Sequence, residues 1–238
     1  MLEGMDGPLE VIMFEKTNIE KLYKYGMKVQ VKKDTYLYNA NSGTNEHSAF
    51  LLEDGLCALQ SLTRDGEEKI YLYFDSKRII GFAQIMRRML FQSEEGAQYK
   101  TYSIVAKTDC TLYRISDIDF FRLVKEDQEF NLFLLRILTK NYLDILDRYH
   151  QIQEESAAVR LCRLILEFSV DKQGKKILPK YFNYIELSKY LGIHPVTVSR
   201  IMGKLKQYGF ISKDGHSVVL ENEKQLRDFI ESGQDVEY

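Results

Sequence analysis

The chain has 238 residues, 45% of them hydrophobic, which leaves room for two ordinary domains and enough apolar side chain for a sizeable core. Its 33 Lys and Arg stand against 35 Asp and Glu, a formal net charge of −2, so a uniformly basic nucleic-acid binder is excluded and any cationic surface must be local. Cys57, Cys110 and Cys162 are far apart, form no Cys-x-x-Cys pair, and read as small buried hydrophobes of a reducing cytosol. No apolar run approaches membrane-spanning length and the first residues lack a basic stretch followed by an apolar one, so a cytoplasmic location without membrane contact is expected.

From residue 28 to about 124 the chain alternates short β-type runs with turn signals. Val29-Gln30-Val31 and Tyr36-Leu37-Tyr38 lead to a polar stretch at 39–45, and Ala49-Phe50-Leu51-Leu52 and Leu56-Cys57-Ala58-Leu59 flank the turn Glu53-Asp54-Gly55. A second turn, Arg64-Asp65-Gly66, precedes a run at 69–74, and later runs cover 102–106 and 111–115. Repeated short strands with Asp-Gly punctuation predict an antiparallel roll, barrel or sandwich. Residues 84–91 interrupt them with good helix formers and no Gly or Pro, which predicts a helix.

After Ser116-Asp117-Ile118-Asp119 the pattern becomes that of a long helix. Leu135, Leu138, Tyr142, Ile145, Tyr149 and Ile152 recur at alternating steps of three and four, the seam a coiled-coil helix shows a partner, and this predicts a homodimer. Phe130, Phe133, Leu134, Ile137 and Leu146 supply a second apolar face suited to the chain's own β domain, and one helix can use both. From Ser156 the chain is helical again through Leu161, Leu164, Ile165 and Phe168, then breaks at Gln173-Gly174-Lys175 and Pro179. Two short helices, a small hairpin and a terminal helix are expected to complete an all-α unit with a wing. The expected division is a β-roll sensor over 1–125, a dimerisation helix over 126–156 and a winged helix-turn-helix over 157–238, an α+β chain.

Residues 183–205 carry the most chemistry. Asn183 can cap a helix with Glu186 three residues on, and Gly192 can take the positive φ that a sharp turn between helices demands. His194 then falls at a cap position and Pro195 at the first helical position, where its missing N–H costs nothing. Leu187, Leu191, Val198, Ile201 and Leu205 can form the shared core of the two helices. Val196, Ser199, Arg200 and Gly203 are left on an outward face without a carboxylate. Between Lys172 and Lys213 there are nine Lys or Arg against one acid, Glu186, a basic tract suited to phosphate contact by counterion release. The spacing predicts a helix-turn-helix whose second helix enters a major groove, with His194, Pro195, Val196, Thr197, Ser199, Arg200, Gly203 and Lys204 at the duplex. Residues 210–220, with the Asp214-Gly215 turn, predict the wing.

With these residues in place the chain resembles the Crp/Fnr family of bacterial transcription regulators over nearly its whole length. Leu51-Leu52-Glu53-Asp54-Gly55 with Arg64-Asp65-Gly66, Ile79-Ile80-Gly81-Phe82, Ala106-Lys107-Thr108 and, most specifically, Thr197-Val198-Ser199-Arg200 carry the resemblance. It implies a cyclic-nucleotide-binding-like jelly roll, a dimer that binds a palindromic site on double-stranded DNA, and RNA polymerase as a further partner. It also implies a small-molecule effector held between roll and long helix, which biases the arrangement of the DNA-binding units. Gly81, Phe82, Lys100, Thr101 and Tyr102 fall where the family's roll meets its effector, and Lys140 lies off the seam of the long helix as a candidate anion-facing residue.

The departures are informative too. Cyclic-nucleotide binders of the family use a Gly-Glu and an Arg-Ser pair, where this chain has Gly81-Phe82 and Lys100-Thr101. The base-contacting positions of the long helix fall on Ile145 and Leu146, which cannot hydrogen-bond, so a cyclic nucleotide is not the expected effector. The cysteine cluster of the oxygen-sensing branch is absent and the roll offers only His47 as a haem ligand, so neither an iron–sulfur cluster, haem nor another metal is expected. Many members carry Glu where this chain has Val196. A carboxylate accepts from cytosine N4 and Val offers only apolar contact, best matched to a thymine methyl, which predicts an A/T-rich site. His194-Pro195-Val196 partly resembles the branch that senses halogenated aromatic acids. An enzyme is not expected, since there is no Gly-rich phosphate loop, Gly-x-Ser-x-Gly elbow or His-Glu-x-x-His. A winged-helix module that meets protein, or a DNA binder that needs no effector, remain as alternatives.

Overall fold

The computed structural model describes residues 19–39, 47–91, 102–215 and 217–233. Lys100 and Thr101, most of the polar stretch at 39–45, and His216 at the hairpin tip lie outside the described residues. A 3-10 helix, Ile19–Tyr25, precedes β1 (Met27–Val31), β2 (Tyr36–Tyr38), β3 (Ser48–Asp54), β4 (Cys57–Leu62), β5 (Glu68–Phe74) and β6 (Ile79–Ile80). Helix α1 (Phe82–Phe91), β7 (Tyr102–Ala106) and β8 (Cys110–Ser116) complete the roll. Its strands form two four-stranded sheets, in the orders β1-β8-β3-β6 and β2-β7-β4-β5, every pairing antiparallel. Leu52, Cys57, Leu72, Ile104, Ala106 and Leu112 fill the space between them. The alternation of the strand runs thus does what period 2 requires, sending one set of side chains inward.

Two roll glycines are there for geometric reasons. Gly55 sits at φ +100° where a Cβ would strike Cys110 Sγ and the Asp109 carbonyl, and Gly81 at φ +79° where a Cβ would lie 2.7 Å from the Ser48 carbonyl oxygen. Phe82, the residue after Gly81, opens α1 and is buried, its ring stacked 6.3 Å from that of Phe120. Phe120 in turn meets Phe130 edge-on at 5.5 Å. Each such ring contributes on the order of 1.5–3 kcal/mol by leaving water, and together they seat the helices that follow on the roll.

The expected single long helix is two. Helix α2 (Asp117–Glu126) ends at Asp127, and α3 (Gln128–Glu154) begins there. Asp127 breaks the run because its carboxylate accepts from the Phe130 N–H at 2.9 Å and from the Tyr25 hydroxyl at 2.6 Å, an arrangement that needs extended backbone at the cap. At 27 residues α3 is about 40 Å long. Phe130, Phe133, Leu134 and Ile137 are buried against the roll, while Leu146, placed with them by its spacing, is exposed.

Ser156 caps α4 (Ala157–Phe168), and the C-terminal unit continues with β9 (Val170–Lys172), β10 (Lys175–Leu178), α5 (Tyr184–Leu191), α6 (Pro195–Gln207), β11 (Ile211–Asp214), β12 (Ser217–Leu220) and α7 (Glu223–Ser232). This unit is not all-α with one hairpin: its strands form a four-stranded sheet, β11-β12-β10-β9. The stretch at Gln173-Gly174, expected only to break a helix, is a two-residue hairpin turn with φ of 55° and 76°, the left-handed pair such a turn demands. The unit also packs on the roll, since Leu56, Ala58, Ile70 and Tyr73 share its core with Leu161, Leu187 and Leu191.

The position of Gly81 yields a test. Gly81→Ala adds a left-handed strain of roughly 1–2 kcal/mol to a backbone clash, so it should lower the denaturation midpoint in urea clearly more than Gly66→Ala, whose added methyl meets open space.

Candidate nucleic-acid interface

Helix α5 starts where Asn183 Oδ1 accepts from the N–H groups of Ile185 and Glu186, both at 3.0 Å, and ends at Gly192, φ +69°. The capping box is only half made, because the Glu186 carboxylate turns to the roll instead of back to its own cap. His194 then caps α6 through Nδ1, which accepts from the Val196 N–H at 3.2 Å, and Pro195 is its first residue. Leu187, Leu191, Val198, Ile201 and Leu205 are buried together. With that face inward, a period of 3.6 sends the opposite face out. Val196, Ser199, Arg200 and Gly203 are exposed, as is the cap His194, and Pro195, Thr197 and Lys204 are half-buried beside them.

The sequence PVTVSRIMGKLKQ gives α6 no acidic residue. Arg200, Lys204 and Lys206 have no acidic partner among the described residues, so their charge is available to an anion. Lys213 of the wing lies 5.4 Å from the Tyr184 ring and remains exposed. Three acids of the unit are taken up elsewhere: Glu223 holds Lys176 and Arg227, Asp214 lies 3.8 Å from Lys175, and Glu186 faces the roll. The arrangement offers short and cationic side chains on a protruding helix, with donors for phosphate and base edges.

The effector candidates are placed otherwise than their spacing suggested. Gly81 is a turn residue pressed on Ser48, and Phe82 is a core ring, so neither presents a side chain to a ligand. Tyr102 is half-buried, its hydroxyl accepting from Gln84 Nε2 at 2.6 Å and its ring 5.8 Å from Tyr38. Lys140 does not stand alone on its helix. It lies 3.3 Å from Asp144, which also accepts from Arg78 at 2.8 Å. Buried Arg78 further donates to Asn141 at 3.0 Å and Asp75 at 3.1 Å, and so ties the roll to α3.

Sequence reasoning missed a set of contacts between roll and DNA-binding unit. Lys107 and Glu186, with side-chain exposures of 8% and 13%, form an ion pair at 3.3 Å, and the Tyr73 hydroxyl donates to the same carboxylate at 3.2 Å. Lys189 pairs with Glu68 of β5. Burial disfavours the ionised Glu68, but Lys189 outweighs it and holds the carboxyl below its ordinary value. Arg148 of α3 stacks 3.5 Å over the Tyr190 ring and donates to the Tyr190 carbonyl. The Lys107–Glu186 and Lys189–Glu68 pairs border a polar cleft of about 350 Å³ between β-roll and α5. Nothing in the spacing of residues 42 to 121 positions apart could have disclosed them. Among the described residues no cluster of three or more His, Cys, Asp or Glu is placed to hold a metal, and no helix is long and apolar enough to cross a membrane.

Roll, long helix and winged head together have the architecture of a regulator that meets DNA. Residues 28–127 match the cyclic nucleotide-binding domain, and residues 159–229 match the Crp-like helix-turn-helix domain. The chain belongs to the Crp/Fnr family of transcription regulators and is not an enzyme. The transcriptional activator protein Anr of Pseudomonas aeruginosa is 22% identical over 218 residues, 89% of this chain and 82% of that one. In fold it is similar to FixK2 of Bradyrhizobium japonicum, with a TM-score of 0.69 and 16% identity over 90% of this chain and 99% of that one. It is also similar to CLP of Xanthomonas campestris, described as a c-di-GMP responsive global regulator, with a TM-score of 0.66 and 18% identity over 86% and 98%.

Arg200→Ala should leave the melting temperature unchanged, because the side chain is exposed. It should weaken duplex binding by about 1–3 kcal/mol and, if the guanidinium meets phosphate, flatten the salt dependence by about one ion. Fluorescence anisotropy across a salt series measures both.

Proposed function

We propose that the protein is a homodimeric, sequence-specific regulator whose paired α6 helices enter successive major grooves of a palindromic, A/T-rich site, with half-sites roughly 34 Å apart. The observation that carries it is the exposed, acid-free face of Val196, Ser199, Arg200 and Gly203 on a helix whose other face is buried. Val196 is half-exposed at the start of that helix, where a residue reaches base edges, and its methyls suit a thymine methyl better than the amino group of cytosine.

Dimerisation is supported by α3. Leu135, Leu138, Tyr142, Ile145, Tyr149 and Ile152 are all exposed along one stripe, with Leu135, Tyr142 and Tyr149 at 59%, 62% and 63%. An apolar stripe of that length in water calls for a cover, and a second α3 packed seam to seam provides it.

The switch is an unidentified small molecule, not a cyclic nucleotide, bound between roll and α3. Support comes from the Arg78 contacts with Asn141 and Asp144, which join the roll to α3, and from Gly81-Phe82 standing where cyclic-nucleotide binders of the family carry Gly-Glu. The reading requires no metal, haem or iron–sulfur cluster, takes place in the cytoplasm and includes RNA polymerase as a partner through the family resemblance.

Replacing both Tyr142 and Ile145 by Glu should turn the dimer into a folded monomer in sedimentation equilibrium and cost duplex affinity by an order of magnitude or more. Selection of bound sequences from a random pool should yield an inverted repeat with A·T at the position facing Val196, and Val196→Glu should move that position to G·C. Enrichment of G·C by the natural protein would refute the site assignment.

A further inference from the structure

The three cysteines are not alike. Cys162 is buried in α4, and burial pushes its thiol up to about 12. Cys57 and Cys110, 53 residues apart in sequence, open β4 and β8, strands of different sheets, and their sulfurs face each other at 3.8 Å. The segments that carry them are pressed together. Gly55 is so close to Cys110 that an added Cβ would lie 2.9 Å from the Cys110 Cα, the Leu56 N–H donates to Thr108 Oγ1 at 2.9 Å, and the Lys107 N–H donates to the Leu56 carbonyl at 2.7 Å. Short backbone separation with sulfurs turned toward each other is what a disulfide requires.

We infer that Cys57 and Cys110 form a reversible dithiol–disulfide site that joins the two sheets of the roll, with a small hydroperoxide as oxidant and a low-molecular-weight thiol as reductant. The chemistry divides between them. The contact between the two sulfurs lowers the Cys110 thiol from its ordinary value, and the same contact together with burial raises that of Cys57. Cys110, which keeps a 3% opening to solvent while Cys57 has none, is the attacking thiolate and Cys57 the resolving thiol. Cys110 Sγ attacks one peroxide oxygen, the O–O bond breaks, the other oxygen takes up a proton and leaves as water from hydrogen peroxide or as an alcohol from an alkyl hydroperoxide, and a sulfenic acid remains. Cys57 Sγ then displaces the sulfenic oxygen, which departs as water with the Cys57 proton, and the S–S bond forms. Two thiols lose two electrons and two protons in all, and the peroxide gains them. Two molecules of thiol reverse the step by exchange, and are themselves joined as a disulfide.

The site borders the contact between roll and DNA-binding unit, since Lys107, which pairs with Glu186, lies in the same turn as Thr108 and Cys110. Access is limited to small reagents, because Cys57 is fully buried and Cys110 is 3% exposed. This fits a hydroperoxide and excludes a protein partner.

The test uses the intact chain. Reduced protein is treated with hydrogen peroxide, quenched, alkylated under denaturing conditions, weighed whole and mapped without reduction. The expected result is that two of the three thiols vanish together, the unalkylated mass falls by two hydrogens, the map links the peptides of Cys57 and Cys110, and Cys162 alone is alkylated. Dithiothreitol should restore all three, and Cys57→Ser and Cys110→Ser should each abolish the paired loss. Survival of all three thiols, prior loss of Cys162, or linkage only between separate chains would overturn the assignment, and the wild-type map alone decides it even if a variant fails to fold.

Discussion

A helix with one face driven into a core has no freedom over what the other face shows. Val198, Ile201 and Leu205 are completely buried, and their burial rotates α6 until Val196, Ser199 and Arg200 look into solvent. The angle at which α6 leaves α5 is set by Gly192, whose left-handed backbone closes the Ser188 carbonyl and lets the next residue, after Ile193, cap a new helix. Remove the shared core and the exposed face loses its direction. The cationic tract would then be an ordinary charged surface instead of a reader of one groove.

The same core extends into the roll. Ile70 and Tyr73 of β5 pack among residues of α4 and α5, and Lys107 and Lys189 fasten the charged edges of that contact. A buried pair such as Lys107 with Glu186 adds little by existing and costs about 3–5 kcal/mol to break on one side, so it specifies an arrangement more than it stabilises one. The DNA-binding head therefore has a defined seat on the roll, made by side chains in contact.

Helix α3 serves two partners by having two faces. Near its start Phe130, Phe133, Leu134 and Ile137 dock on the roll, and from Leu135 to Ile152 the apolar side chains lie open. Arg78 reaches across from the roll to Asn141 and Asp144, midway along. A partner helix on the open stripe and an effector in the roll would thus act on one rigid rod.

How much of this was legible in the residues follows from range. Local geometry is written locally: the Asn183 cap, the Gly192 turn, Pro195 at the first helical position and the 3.6 period behind it are consequences of backbone sterics within a few residues, and they located both helices and the outward face. Asp-Gly turns and period-2 runs similarly announced the antiparallel roll. A break fixed by a distant partner was harder. Asp127 breaks what periodicity alone makes one helix, because Tyr25, over a hundred residues away, bonds its carboxylate. What tertiary structure alone decided is which distant groups meet. It turned Phe82 into core, gave Lys140 to Asp144, sent Glu186 to Lys107, and brought Cys57 to 3.8 Å from Cys110. Periodicity says which way a side chain points along its own element, but a meeting between elements depends on how sheets and helices pack, and no spacing along the chain encodes that.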